Sequence, residues 1–211
     1  MNNSSSLFVS YLLGVTAVII GLFTFRKLHL PQRLLFFYVL FSLLTDTIGH
    51  VFAIVFPKTD NHLVFDVYHF VELGLLCFAA YLFQKKLKRI ILLLVTITII
   101  ASIYSFIKEG TVFFVVHGLL VKSVSVCIIY YIVSIKLAQS HYSKSIIANP
   151  SFWMSIAIVM FYACIIPFFS YFEYLTITNP TMIDKLFPII DVLNIVRYLL
   201  FGVGFVLSTK Q

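Results

Sequence analysis

Charge is the property this sequence has least of. Asp, Glu, Lys and Arg make up 11% of its 211 residues, against 61% hydrophobic and 17% aromatic, the aromatics being mostly Phe and Tyr. An ordinary soluble domain of this length cannot hide so much apolar surface. Patterned cysteine is missing too: Cys77, Cys127 and Cys164 fall inside apolar runs and form no CxxC or Cys/His metal motif. They read as small buried packing groups and carry no information on redox compartment. The opening "MNNSSSLFVS" lacks the basic residues of a secretory signal, and no small-residue cleavage pattern follows. The first apolar run is therefore read as a retained helix. No internal repeat, low-complexity tract or soluble domain interrupts the chain, so residues 1–211 form a single transmembrane domain.

What remains is a set of long apolar runs. Each matches the roughly 20 residues, at ~1.5 Å per residue, that cross a bilayer core of about 30 Å. Hydropathy places helices at 7–25, 34–56, 63–83, 90–107, 111–135, 151–171 and 186–208. Because lipid offers the backbone no hydrogen bonds, continuous runs of this length are helical, and the expected fold is an all-α, seven-helix polytopic bundle. Ten of the fifteen Lys and Arg lie on one side: Arg26, Lys27, Arg33, Lys85, Lys86, Lys88, Arg89, Lys136, Lys144 and Lys210. Lys58, Lys108 and Lys185 lie on the other, and Lys122 and Arg197 fall inside spans. The positive-inside rule then predicts an outside N-terminus and a cytoplasmic C-terminus; the expected location of this multi-pass protein is a cell inner membrane. Topology accounts for the net charge of +7, and no nucleic-acid partner is expected. Membrane lipids are the expected partners, with a homo-oligomer or larger membrane complex left open.

Local punctuation agrees with this map. In "ANPSFW", Asn149 is a helix cap, Pro150 takes the first helical position and Trp153 lies at interface depth. Pro167 is expected to kink helix 6, and "FFSYFEY" fits an interfacial aromatic belt. Helix 4, "IILLLVTITIIASIYSFI", has no ionisable side chain and reads as lipid-facing scaffold.

The scarce charges that do enter the spans are then the informative residues, since a charge at the bilayer centre costs at least ~2.5–3.5 kcal/mol on insertion scales. Counting from the outer helix ends puts His50, His69 and His117 about 9 Å deep, with Asp191 and Asn194 at ~6–10 Å and Asp66 near ~5 Å. Asp46, Glu72, Lys122 and Arg197 come out at ~14–17 Å. All ten belong to helices 2, 3, 5 and 7, and none falls in the cytoplasmic half. Helical phase supports convergence: Asp46 and His50 are four apart, while Asp66, His69 and Glu72 in "FDVYHFVELG" repeat the i, i+3 spacing of Asp191, Asn194 and Arg197. Together they outline a polar cavity.

Four carboxylates there face two permanent cations, so protonated carboxylates, protonated histidines or a bound cation must balance the sum. One reading is a metal site in which His50, His69 and His117 hold zinc, with a nearby acid as general base. No HxxxH, HExxH or CxxC puts two strong ligands on one helix. A second reading is an ion-pair network that locks the helices in register, with Arg197 or Lys122 bridging Asp46 and Glu72. A third is a proton or ion pathway, or a pH sensor built on the histidines; the dry cytoplasmic half argues against a continuous channel through one chain. Ser42, Thr45, Thr47, Ser123 and Ser125 are expected to return their hydroxyls to the helix backbone. Tyr68, Tyr130 and Tyr131 read as packing or interface residues, and Tyr162 is the phenol placed to join a buried network.

Three segments, "VYHFVELGLL" at 67–76, "NPSFWMSIAIVMFYACIIPFFS" at 149–170 and "DVLNIVRYLLFGVGF" at 191–205, resemble a group of small, uncharacterised seven-helix membrane proteins of Bacteroidota-type bacteria. That resemblance implies a fold and no activity. A looser likeness is to the seven-helix hydrolases of the alkaline ceramidase and adiponectin receptor superfamily, which use three histidines, an aspartate and a serine around zinc. Asp46-x-x-x-His50 stands where those enzymes carry Ser-x-x-x-His, and Asp191, Asn194 and Arg197 replace their paired histidines on helix 7. The expected function is a membrane protein with an outward-facing polar cavity that binds a small ligand, cation or lipid head group, as a sensor or accessory module. Its alternatives are a metal-dependent intramembrane lipid hydrolase and a structural subunit or oligomeric pore of a larger assembly.

Overall fold

The computed structural model describes residues 3–55, 62–109, 116–140, 146–178 and 180–210. They form seven α-helices: α1 Asn3–Thr24, α2 Leu30–Val55, α3 His62–Phe83, α4 Lys88–Glu109, α5 Val116–Ser140, α6 Pro150–Thr178 and α7 Pro180–Leu207. All seven are long and apolar enough to cross a membrane. Their outward faces carry side chains such as Phe8, Leu12, Leu92, Ile100 and Ile107, each more than half exposed. Such a surface is compatible with an integral membrane protein.

The helices close into a ring. α1 packs along α7, α7 along α6, α6 along α5 and α2 along α3, while the α1/α2 and α3/α5 seams are thinner. α4 stands outside the ring, against α5 and α3. It is the least buried of the seven, but not featureless: Thr98, Ser102 and Ser105 form a buried hydroxyl stripe along its inner side. Scaffold facing lipid thus describes only part of α4.

One half of the ring is filled and the other is hollow. The core lies toward the end where short 3-10 turns, Phe25–Lys27, Lys85–Leu87 and Ile146–Ala148, lead into or out of the helices. There Leu35, Phe36, Leu76, Ala79, Ile129, Val133, Met154, Ala157, Phe201 and Phe205 interdigitate. This end is also the basic one, with Arg26, Lys27, Arg33, Lys85, Lys86, Lys88 and Arg89 around it. Its helix starts are tied by side chains. The His29 N–H donates to Gln32 Oε1 at 3.0 Å, and Gln32 Nε2 donates to Ser151 Oγ at 3.0 Å, which joins α2 to α6. The Ser151 N–H donates to Asn149 Oδ1 at 3.0 Å, the cap expected from the sequence. The Trp153 indole donates to the Ile147 carbonyl at 2.7 Å.

Three helix ends differ from the hydropathy reading by five residues or more: α5 runs to Ser140 rather than 135, α6 to Thr178 rather than 171, and α7 begins at Pro180 rather than 186; the expected start of helix 5 at 111 lies outside the described residues. Hydropathy falls where Glu173 and Lys185 enter, yet helical geometry does not require an apolar layer, and Pro180 has the fixed φ suited to a first helical position. α6 also runs through Pro167, and α7 through Pro188. Each proline removes one backbone donor, so each helix is continuous but loses a rung.

Close approach of α1 to the core depends on Gly21. A Cβ there would press into the Phe36 ring and stand 3.3 Å from Phe205. Phe36 is 1% exposed, Phe205 is fully buried, and their rings meet edge-on at 6.0 Å. Gly21→Leu is expected to destabilise the purified protein by about 1–3 kcal/mol through overpacking. Leu22→Ala, at a side chain 59% exposed, should stay within ~0.5 kcal/mol. Thermal unfolding in detergent, followed by loss of the monodisperse peak, measures both.

Candidate functional site

The hollow half of the ring encloses a cavity of about 440 Å³ between α1, α2, α3, α5, α6 and α7. Its walls are unlike one another. Leu119, Phe161, Ile165, Phe168 and Phe169 make α5 and α6 an apolar wall, while Ser10, Tyr11, Asp46, His50, Asp191 and Asn194 put polar groups on α1, α2 and α7.

At the floor, Lys122 of α5 makes an ion pair and hydrogen bond with Glu72 Oε2 of α3. The other carboxylate oxygen accepts from the Tyr68 hydroxyl at 3.0 Å. Both charges are deeply buried, Lys122 at 1% exposure and Glu72 at 4%. Removed from water, neither would be tolerated alone. Tyr162 of α6 lies beside Glu72 and is 2% exposed. Its hydroxyl has no partner in hydrogen-bonding geometry among the described residues.

Arg197 of α7 is held differently. Nη1 donates to the Tyr38 hydroxyl at 2.8 Å, and Nη2 donates to Ser42 Oγ at 2.8 Å and the Tyr198 hydroxyl at 3.1 Å. The guanidinium carbon lies 4.3 Å from the Phe161 ring centroid, 4.8 Å from that of Tyr198 and 5.5 Å from that of Tyr38. A planar guanidinium suits this cage because it donates in its plane and stacks on its faces, which an ammonium cannot do. Asp46 lies against Tyr198, within the field of Arg197, Glu72 and Asp191. Among the described residues neither Asp46 nor Arg197 stands in an ion pair. Asp191 accepts a 2.9 Å bond from the Ser6 hydroxyl of α1. His50 is exposed at the rim, 6.3 Å from the Tyr11 ring.

Seven of the ten residues picked from the sequence line this cavity: Asp46, His50, Glu72, Lys122, Asp191, Asn194 and Arg197. Two others point elsewhere. The cavity side of α3 is the stripe Phe65, Tyr68 and Glu72. His69 is about 60° around the helix from Glu72 and Asp66 about 120°, because i, i+3 steps drift at 3.6 residues per turn. His69 is fully buried, with Nε2 3.1 Å from Ser102 Oγ of α4 and Nδ1 unpartnered among the described residues. Asp66 is buried and lies off the cavity wall. His117 belongs to the first turn of α5, and its side chain lies outside the described residues.

Other expectations require correction. The cations do not bridge Asp46 to Glu72: Lys122 takes Glu72, and Arg197 takes hydroxyls. Ser42 is one of those hydroxyls, and Ser125 accepts from Thr98 of α4 at 3.1 Å, so neither is a spectator. Thr47 and Ser123 do return their hydroxyls to the backbone, at the Leu43 and Leu119 carbonyls. Helices 1 and 6 also enter the site, through Ser6, Ser10 and Tyr11 and through Phe161 and Tyr162. The clue was available: Ser6 and Ser10 are four apart and share one face of α1.

For the zinc set, His50 lines the cavity, His69 binds toward α4 and the His117 side chain is outside the described residues. Among those residues, no three His, Cys, Asp or Glu come together to hold a metal. Comparison with family models, curated proteins and solved structures found no match to this chain.

The floor pair makes a direct prediction. Glu72→Gln or Lys122→Met alone strands a buried charge and should cost about 3–5 kcal/mol, whereas the double variant should recover most of that loss. Thermal unfolding of the four proteins in detergent closes the cycle; additive losses would assign the two residues to independent roles.

Proposed function

We propose that this protein is a multi-pass membrane protein whose cavity opens to the outer side and binds a small ligand, as a sensor or accessory membrane module. The observation that carries the reading is the contrast between the two halves of the ring. Half is packed with apolar side chains, and half holds a cavity of about 440 Å³ lined by Asp46, Glu72, Lys122, Asp191 and Arg197. That volume falls within the ~300–1,000 Å³ of small-molecule pockets, and an apolar wall facing a few placed polar groups is their usual construction. A purely structural network needs no such empty space.

The orientation rests on charge. The cavity occupies the end away from the Lys- and Arg-rich turns, so the positive-inside rule directs it outward. A filled core beneath it favours binding over conduction, since a conducting path carries polar groups from end to end. The resemblance of residues 67–76, 149–170 and 191–205 to small seven-helix proteins of Bacteroidota-type bacteria is the ground for placing it in a cell inner membrane.

Thiol labelling tests this reading. In a background with Cys77, Cys127 and Cys164 replaced, a membrane-impermeant maleimide applied to intact cells should label His50→Cys at the rim and, more slowly, Ser123→Cys on the cavity wall. Lys86→Cys at the basic end and Ser134→Cys in the packed half should stay unlabelled until the cells are opened. Labelling of Lys86→Cys in place of His50→Cys would reverse the orientation. Failure of Ser123→Cys to react while His50→Cys does would close the cavity to solutes.

A further inference from the structure

We infer that the cavity takes an organic cation, a ligand with a protonated amine at one end and an apolar body at the other. The inference rests on the cavity being a ligand site and adds the ligand's chemistry. Accessibility separates the two cations from two of the three acids around the cavity. Lys122 and Arg197 are withdrawn, at 1% and 3% exposure, with Glu72 held on Lys122, whereas Asp46 and Asp191 are only partly buried and line the cavity.

The withdrawn cations are largely satisfied, with Arg197 Nε the one of their nitrogens left without a hydrogen-bond partner among the described residues. Lys122 is matched by Glu72, and the Arg197 guanidinium is shared among three hydroxyl oxygens and three aromatic faces. The acids are less fully matched: Asp46 has no ion pair among the described residues, only Tyr198 beside it and the field of Arg197, and Asp191 has the neutral Ser6 hydroxyl. The surplus extends to neutral groups. Asn194 Oδ1, one helical turn below Asp191, is a buried acceptor without a partner among the described residues. Buried polar atoms are costly when unpaired, so a ligand that donates hydrogen bonds is favoured over one that only accepts them.

Two further features select an organic amine over a bare metal ion. Among the described residues no three metal-ligating side chains converge. Opposite the acids stand Leu119, Ile165, Phe168 and Phe169, a wall that contributes nothing to a hydrated ion but covers a hydrocarbon body. The Tyr11 and Tyr198 rings lie near Asp46, and aromatic rings beside a carboxylate suit an organic cation. An anionic ligand would face the Asp46 and Asp191 carboxylates, while both cations are already engaged.

Isothermal titration of the full chain in a neutral detergent at pH 7 tests the inference with 2-phenylethylamine, 2-phenylethanol and 3-phenylpropanoate. The amine should bind at least about tenfold tighter than the alcohol, and the carboxylate weakest of the three. Asp46→Asn should lose that tenfold preference and leave the alcohol within about threefold of wild type; Asp191→Asn serves as the second variant should the first not fold. Equal binding of amine and alcohol, or tighter binding of the carboxylate, overturns the amine and leaves the cavity reading standing. Heat from none of the three at millimolar concentration overturns both. Repeating the titration in nanodiscs of phosphatidylethanolamine and of phosphatidylglycerol identifies the source. Competition by the first lipid assigns the amine to a lipid head group, and its absence assigns it to a free amine.

Discussion

The ion pair between Lys122 and Glu72 is the interaction on which the hollow half of the ring depends. It spans the α3/α5 seam, one of the two thin contacts in an otherwise broadly packed circle. Within lipid, apolar packing is no drive to association, because tails are as apolar as leucine; close-fitting shapes and hydrogen bonds between helices must hold a bundle together. Where the fit is thin, polar bonds carry more of that burden. Lower on the same seam, the Tyr130 hydroxyl donates to the Leu76 carbonyl at 2.9 Å, and beside it Thr98 of α4 donates to Ser125 of α5. α4 then covers the seam from outside with its hydroxyl stripe.

Arg197 performs the matching task across the ring. Its bonds to Tyr38 and Ser42 reach from α7 to α2, next to the thin α1/α2 contact. Both cations therefore lie at places where side-chain packing is weakest, and both are held by groups that fix their direction. A cation pinned in this way cannot move to fill neighbouring space. The rings and carboxylates that pin it also leave gaps that aliphatic side chains would have closed, and the cavity follows from that geometry. Below it, where no ionisable group intervenes, the Leu, Ile, Ala and Phe residues of the core meet directly.

The sequence disclosed depth far better than azimuth. A residue's height along a span is a count multiplied by a fixed rise, so the confinement of Asp46, Glu72, Lys122 and Arg197 to one half could be read directly. Direction around the helix is harder. Asp66, His69 and Glu72 look like one stripe at i, i+3 spacing, yet the drift of three such residues spreads them over about 120°, and only Glu72 reaches the cavity. Partner choice was harder still. Neutral hydroxyls as the ligands of a buried arginine leave no charge pattern in a sequence, so Tyr38, Ser42 and Tyr198 gave no signal. The buried stripe of α4 was hidden for a similar reason: Thr98, Ser102 and Ser105 are weakly polar, and hydropathy averages them into the surrounding isoleucines and leucines. Helix ends were misplaced where helix continues past the apolar layer, at Thr178 and Pro180.

A two-layer ring constrains how occupation of the cavity can be felt at the opposite end. With the lower half filled by the described core residues, an effect of occupation on the other end would travel through the helices themselves. Asp46 and Asp191 sit on α2 and α7, the two helices that Arg197 links. Asp46 also lies within the field of that arginine and against Tyr198, one of its three hydroxyl ligands. A positive charge bound at Asp46 weakens the hold of that carboxylate on Arg197 and repels the guanidinium, which loads the α2/α7 link directly. Further down the same two helices, Phe36 and Phe205 meet edge-on against Gly21, in a part of the core too tightly packed to absorb a shift. Displacement of α7 against α2 in the hollow half would thus reach the basic turns as a movement of whole helices.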